Sequence, residues 1–132
     1  MSTHTQNPTT VHNIGVVMFT VADQDAARDF YTQKLGFEVR GDTRFGENGE
    51  HRWLEVAPPG STARLALNPP MFDEPGGSAI GVETSDLAAE HARLTEIGVA
   101  DLEPLPTEDT PGVPRLFMLR DPDGNVITVV EA

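Results

Sequence analysis

The side chains best equipped for chemistry crowd into one stretch of the chain. His51, Trp53, Glu55, Arg64 and Asn68 stand at alternating positions on either side of the turn formers Pro58 to Ser61, and alternate residues of a strand share one face. An imidazole titrates near neutrality, so His51 is a possible general acid or base, or simply an exposed residue at a strand start. Glu55 and Arg64 suit a cross-strand ion pair contributing about 0.2–1 kcal/mol, or a recognition pair in which one partner is released to a charged group on a small molecule. Trp53, the single tryptophan, serves as core or as a stacking platform for a flat ligand. His51 and Glu55 cannot hold one ion together, because four residues of strand span about 13 Å. His91, between Glu90 and Arg93, falls on the solvated side of a helix, and His4 and His12 belong to an N-terminal tail or its junction. No His–Glu or His–His pair has the spacing of a metal site.

The elements that must position these groups are short. Residues 1–11 read as a loose, Thr-rich tail. A strand follows over 14–21, and then a helix capped by Asp23 or Asp25 that buries Ala26, Ala27, Phe30 and Leu35 and stops at Gly36. Strands are expected at 37–42, 52–57 and 63–68. The turn predicts Glu55 opposite Arg64, Trp53 opposite Ala66 and His51 opposite Asn68, with Leu54, Val56, Leu65 and Leu67 facing the helices. After a linker dense in Pro and Gly (69–77), the pattern recurs: a strand at 79–83, a helix capped by Ser85 or Asp86 running to Ile97 and closed by Gly98, and strands at 116–119 and 126–130 around Asp121–Asn125. A further strand is expected within 100–105. Leu35-Gly36 recurs as Ile97-Gly98 and Pro58 as Pro122, an offset of about 62 to 64 residues, so two half-domains sharing one core are expected: a first module over 12–68 and a second over 78–132.

Composition closes several function classes. Nine Lys plus Arg against 21 Asp plus Glu give a net charge of -12, which repels polyanions, so nucleic acid is a poor partner. No run approaches the roughly 18 apolar residues of a spanning helix, and the first ten residues lack the features of a signal peptide, so no membrane is expected and the default address is cytoplasmic. The absence of cysteine excludes disulfides, thiolate nucleophiles and Cys-based metal sites.

Two stretches carry a resemblance to a known family. VADQDAARDFYTQKLGF (Val21–Phe37) and RDPDGNVI (Arg120–Ile127) resemble signatures of the vicinal-oxygen-chelate group, which includes glyoxalase I, bleomycin-resistance proteins and extradiol dioxygenases. The resemblance implies an α+β fold in which two βαβββ modules build a curved mixed sheet around a cup-shaped cleft. In metal-dependent members the first and fourth strands of each module each send one ligand into the cup. Those positions match Val16, Ala66, Ala79 and Thr128, none of which suits a divalent first-row ion. One-residue slips offer Gly15 or Val17, Leu65 or Leu67, Ser78 or Ile80, and Ile127 or Val129, which are no better.

On that alignment the cup is lined by His51, Trp53, Glu55, Arg64 and Asn68, joined by Met18 and, from the second module, Arg115 and Phe117. Three functions compete. The first is a metal-free, cofactor-free binding protein that sequesters a cationic or aromatic small molecule as a homodimer. The second is an enzyme working through His51, Glu55 or Arg64, or less readily a metal, in lyase or isomerase chemistry. The third is a structural or regulatory module whose sheet mediates dimerisation.

Overall fold

The computed structural model of the chain describes residues 8–71 and 73–132; the expected tail therefore lies outside the described residues over 1–7, as does Phe72 of the linker, while residues 8–15 are without helix or strand. Strand β1 (Val16–Thr20) alternates in burial, with Phe19 wholly buried and Met18 56% exposed. Helix α1 (Gln24–Asp29) is capped by Asp23, not Asp25: the Asp23 carboxylate accepts the Ala26 N–H at 3.1 Å. The helix widens into a single π turn over Phe30–Lys34, in which the Leu35 N–H bonds to the Phe30 carbonyl, and it ends at Gly36 with φ 76°. Ala27 and Tyr31, four residues apart, are buried, Phe30 and Leu35 pack half-buried against the core as expected, and Ala26 is exposed.

Strands β2 (Glu38–Phe45), β3 (His51–Ala57) and β4 (Arg64–Asn68) complete a four-stranded sheet ordered β1-β4-β3-β2, with β1 parallel to β4 and the other pairs antiparallel. The expected register between β3 and β4 is corrected by two residues: Glu55 lies opposite Ala66, not Arg64. The ladder ends there. Toward His51 the strands part, and the Gln24 side chain donates to the carbonyls of both Arg52 (3.2 Å) and Leu67 (2.9 Å), satisfying groups that ladder partners would otherwise take. A shift of two preserves the faces, so Leu54, Val56, Leu65 and Leu67 are buried as expected.

The second half repeats the plan with β5 (Ala79–Thr84), α2 (Leu87–Glu96), β6 (Leu116–Arg120) and β7 (Val126–Glu131) in a three-stranded sheet ordered β5-β7-β6. Asp86, not Ser85, caps α2 through the Ala89 N–H. The strand expected within 100–105 is reduced to one bridge, Leu102 to Leu119, flanked by the bonds Glu103 N to Met118 O and Arg120 N to Asp101 O. Pro104 and Pro106, which lack the N–H a ladder needs, stop it there.

One buried cluster takes the inner faces of both sheets, among them Phe19, Leu54, Leu67, Leu94, Phe117 and Ile127. A polar knot locks the halves together. The Tyr31 hydroxyl donates to Asp121 Oδ2 at 2.8 Å, Asp121 Oδ1 accepts the N–H groups of Asp123 and Asn125, and Asn125 Nδ2 donates to the Thr20 carbonyl. Gly76, at φ 93°, lies so close to the Asp123 carbonyl that a side chain would collide with it. The described residues thus form the expected α+β fold, its mixed sheet divided into one sheet per half around a shared core, and the other face of each sheet points away from that core.

Candidate functional site on the outer face of the first sheet

The sheet register sets the composition of this face. Val16, Met18 and Thr20 of β1 run beside Arg64, Ala66 and Asn68 of β4. Trp53 and Glu55 of β3 are flanked on β2 by Thr43 and Gly41. Glu55 is its centre. One carboxylate oxygen lies 2.9 Å from Arg64 Nε, and the other accepts the Trp53 indole N–H at 2.9 Å. The ion pair is diagonal across the strands, since the residue directly opposite Glu55 on β4 is Ala66. Small neighbours make room for it: Ala66 on one side, and on the other Gly41, where a side chain would begin 3.7 Å from the carboxylate. Glu55 is 13% exposed and Arg64 40%, so the carboxylate is sheltered and the guanidinium reaches solvent.

The remaining sequence-predicted residues are placed unevenly. Met18 stands exposed on this face, and Asn68 is half-buried at the end of β4. His51 is 59% exposed, 3.8 Å from Glu50 and stacked against Phe45 with ring centroids 5.1 Å apart; no buried group orients it. Phe117 corrects its expected placement. It is buried in the core, edge-on to His91 at 5.0 Å, and Met118 takes the outward position opposite Thr128. The reason is register: residues 117 and 119 share the face that covers α2, and a one-residue difference reverses a strand side chain. His91 is correspondingly half-buried and bonded to the Glu103 carbonyl at 2.8 Å, not on a free solvated face. Arg115 lies 3.2 Å from Asp109 and 3.9 Å from Glu131, tying the Pro-rich loop to the end of β7.

The expectation missed Arg52. Its side chain, 8% exposed, grips Asp42 through Nε (2.8 Å) and Nη2 (2.9 Å) and Asp25 through Nη1 (2.7 Å). The bonds to Arg52 hold both carboxyls below the usual carboxylate range, and the two acids raise the guanidinium in return. A charged residue in phase with Leu54 and Val56 was the available signal, because an inward charge demands partners. Burial, reinforced by the neighbouring Asp121, pushes the Tyr31 phenol above its usual range.

Concave space lies elsewhere. A cavity of about 410 Å³ runs along the seam between the halves, with Val17, Val56, Leu65, Ile80 and Val82 in its wall, and a smaller one of about 160 Å³ adjoins it near Phe37 and Leu94. Of the sequence-predicted site residues, only Arg64 borders the larger. Both are seams of the core, whereas the outer face is an open surface. On the outer face of the second sheet, Ala79 and Gly81 of β5 and Thr128 of β7 leave open space beside the outward Met118 of β6.

Comparison with known proteins identifies the chain's relatives. Residues 13–129 match the Glyoxalase/Bleomycin resistance protein/Dioxygenase superfamily, and the chain belongs to that family. It is 34% identical over 125 residues to the uncharacterized protein YetH of Bacillus subtilis, covering 92% of this chain and 99% of YetH. Among solved structures it resembles TnmS3, an antibiotic binding protein from Streptomyces sp. CB03234 (TM-score 0.80, 36% identity, 94% of this chain and 98% of that one). It is equally similar to a superfamily member from Sphaerobacter thermophilus (TM-score 0.81, 33% identity, 94% and 100%). The four positions that the resemblance matches to metal ligands do not fit a divalent ion. Val16, Ala66, Ala79 and Thr128 offer no imidazole or carboxylate, and among the described residues no three His, Cys, Asp or Glu side chains gather into a possible ion site. No helix among the described residues is long and apolar enough to cross a membrane.

Proposed function

We propose that this chain is a metal-free binding protein that sequesters a small, flat, partly aromatic molecule against the outer face of its first sheet, working as a homodimer. The carrying observation is the Trp53 indole, half-buried on that face and fixed by its bond to Glu55. A fixed ring offers contact area without the entropic cost of being ordered when the ligand arrives. The side chains around it are a mixture of apolar and polar groups, the usual make-up of a small-molecule site. Where metal-dependent relatives hold an ion, small or apolar residues leave space for a ligand. The likeness to TnmS3, described as antibiotic binding, supports the same reading. Openness supports a dimer: a cleft needs a second wall, and one chain leaves this face uncovered. A catalytic role for His51 has less support, since it is 59% exposed and no buried partner sets its tautomer.

The test uses the chain's only tryptophan as reporter. Titration with a panel of flat aromatic compounds should change Trp53 fluorescence saturably for at least one of them, and metal analysis of untagged protein should find no stoichiometric ion. A fluorescence signal indifferent to the whole panel would sink the proposal.

A further inference from the structure

We infer that the first sheet's outer face reads a hydrogen-bond acceptor, a carboxylate, phenolate or carbonyl oxygen carried on a flat ring, through the terminal nitrogens of Arg64. Glu55 is the positioning residue that presents both Arg64 and Trp53. The inference rests on the reading of this face as a ligand site and adds the sign of the polar group it accepts.

The net charge of -12 points toward cations, but that field acts over the whole surface and is screened beyond about 8–10 Å in physiological salt. At contact distance individual groups decide. Glu55 is the only acid among the outward residues of β1, β3 and β4, and both its oxygens are engaged, one by Arg64 Nε and one by the Trp53 indole. A cationic ligand would have to compete with the Arg64 guanidinium for a carboxylate only 13% exposed. Arg64 is the reverse case. Its ion pair runs through Nε, its side chain is 40% exposed, and among the described residues no hydrogen bond engages its terminal nitrogens. A second donor lies beside it: Arg64 Nη2 at 3.9 Å and Asn13 Nδ2 at 4.0 Å both flank the point where a side chain on Gly15 would begin. That spot is empty because the residue is glycine. Arg64 carries its donors in a rigid planar fork suited to a carboxylate or a pair of ring oxygens. The Trp53 N–H is spent on Glu55, so Trp53 offers its ring and not a donor.

The experiment is calorimetric titration of the full chain with two probes that share a ring and differ in polar group, 2-naphthoate and 2-naphthylmethylammonium. The naphthoate should bind roughly tenfold or more tightly than the ammonium. Arg64→Met, which keeps the apolar stem, should weaken naphthoate roughly ten- to hundredfold and, because it unpairs Glu55, should strengthen the ammonium or leave it no weaker. Glu55→Gln retains an acceptor for the indole but loosens the guanidinium that Glu55 positions, so naphthoate should bind roughly three- to tenfold more weakly than to the parent. Tighter binding of the ammonium, lost in Glu55→Gln, would overturn the inference and make Glu55 the recognising group. Naphthoate binding indifferent to Arg64→Met would overturn it too. Equal binding of both probes, abolished by Trp53→Ala, would overturn the assignment of sign while leaving the aromatic-ligand reading intact; no binding of either probe would remove both.

Discussion

At the scale of single residues, the most constrained group is Tyr31. Its ring is buried against Phe19, Phe30 and Phe37, and its hydroxyl donates to Asp121, a carboxylate that is itself 5% exposed and wrapped by the turn it caps. Ionising this phenol would place two negative charges 2.8 Å apart out of water. The folded state therefore keeps the proton well above the unfolded value near 10, so the contribution is whole below about pH 10 and is lost as pH rises further. Because Tyr31 is the only tyrosine, phenolate absorbance at 295 nm should stay absent in folded protein up to about pH 11 and appear together with unfolding. Phenolate that forms while the fold is intact would contradict this. Tyr31→Phe should cost about 1.5–3 kcal/mol by urea denaturation, since it takes a donor from a buried carboxylate. The aromatic pair and the Asp-Pro-Asp-Gly-Asn turn were visible in the sequence, but their bond was not, because the partners are ninety residues apart.

At the scale of elements, α1 is only six residues long before its π turn and too short to hold itself in place by helix propensity. Side-chain bonds to the sheet fix it instead: Gln24 bridges β3 and β4, and Arg52 reaches from β3 to Asp25 on the helix and Asp42 on β2. Both acids sit below the usual carboxylate range. The network therefore contributes stability above the unfolded carboxylate pKa, near 4, and loses it as pH falls through the lower folded values. Thermal melts from pH 7 to pH 2 should show a steeper acid decline for the parent than for Asp42→Asn, which should already be less stable at neutral pH. Parallel curves for the two proteins would mean that the clamp is idle. Helix and strand positions followed from periodicity and caps. The splay of β3 from β4 did not, because it depends on a glutamine side chain from another element occupying the gap.

At the scale of the whole molecule, the two halves face inward on one core and leave the outer face of each sheet open. The first sheet offers Trp53, Met18 and Arg64 on that face, and the second offers Ala79, Gly81 and Thr128 beside Met118. The proposed dimer would cover the first sheet's face with a second copy. Light scattering after size exclusion at micromolar protein should give twice the chain mass, and probe affinity should fall on dilution below the dimer's dissociation constant. A monomer that binds the probe with unchanged affinity at every concentration would end the dimer proposal.

The sequence by itself determined the family, the alternation that sorts Leu54, Val56, Leu65 and Leu67 inward from Trp53, Glu55 and Arg64 outward, and the unsuitability of Val16, Ala66, Ala79 and Thr128 as metal ligands. These are local properties, carried by side-chain type and a two-residue period that survives a register shift of two. The tertiary structure alone decided which residues meet. It moved Glu55 from facing Arg64 to a diagonal pair, turned Phe117 into the core, and assembled the Arg52 and Tyr31 networks. Such contacts depend on where separate segments come to rest, and that placement is set by the packing of the whole core.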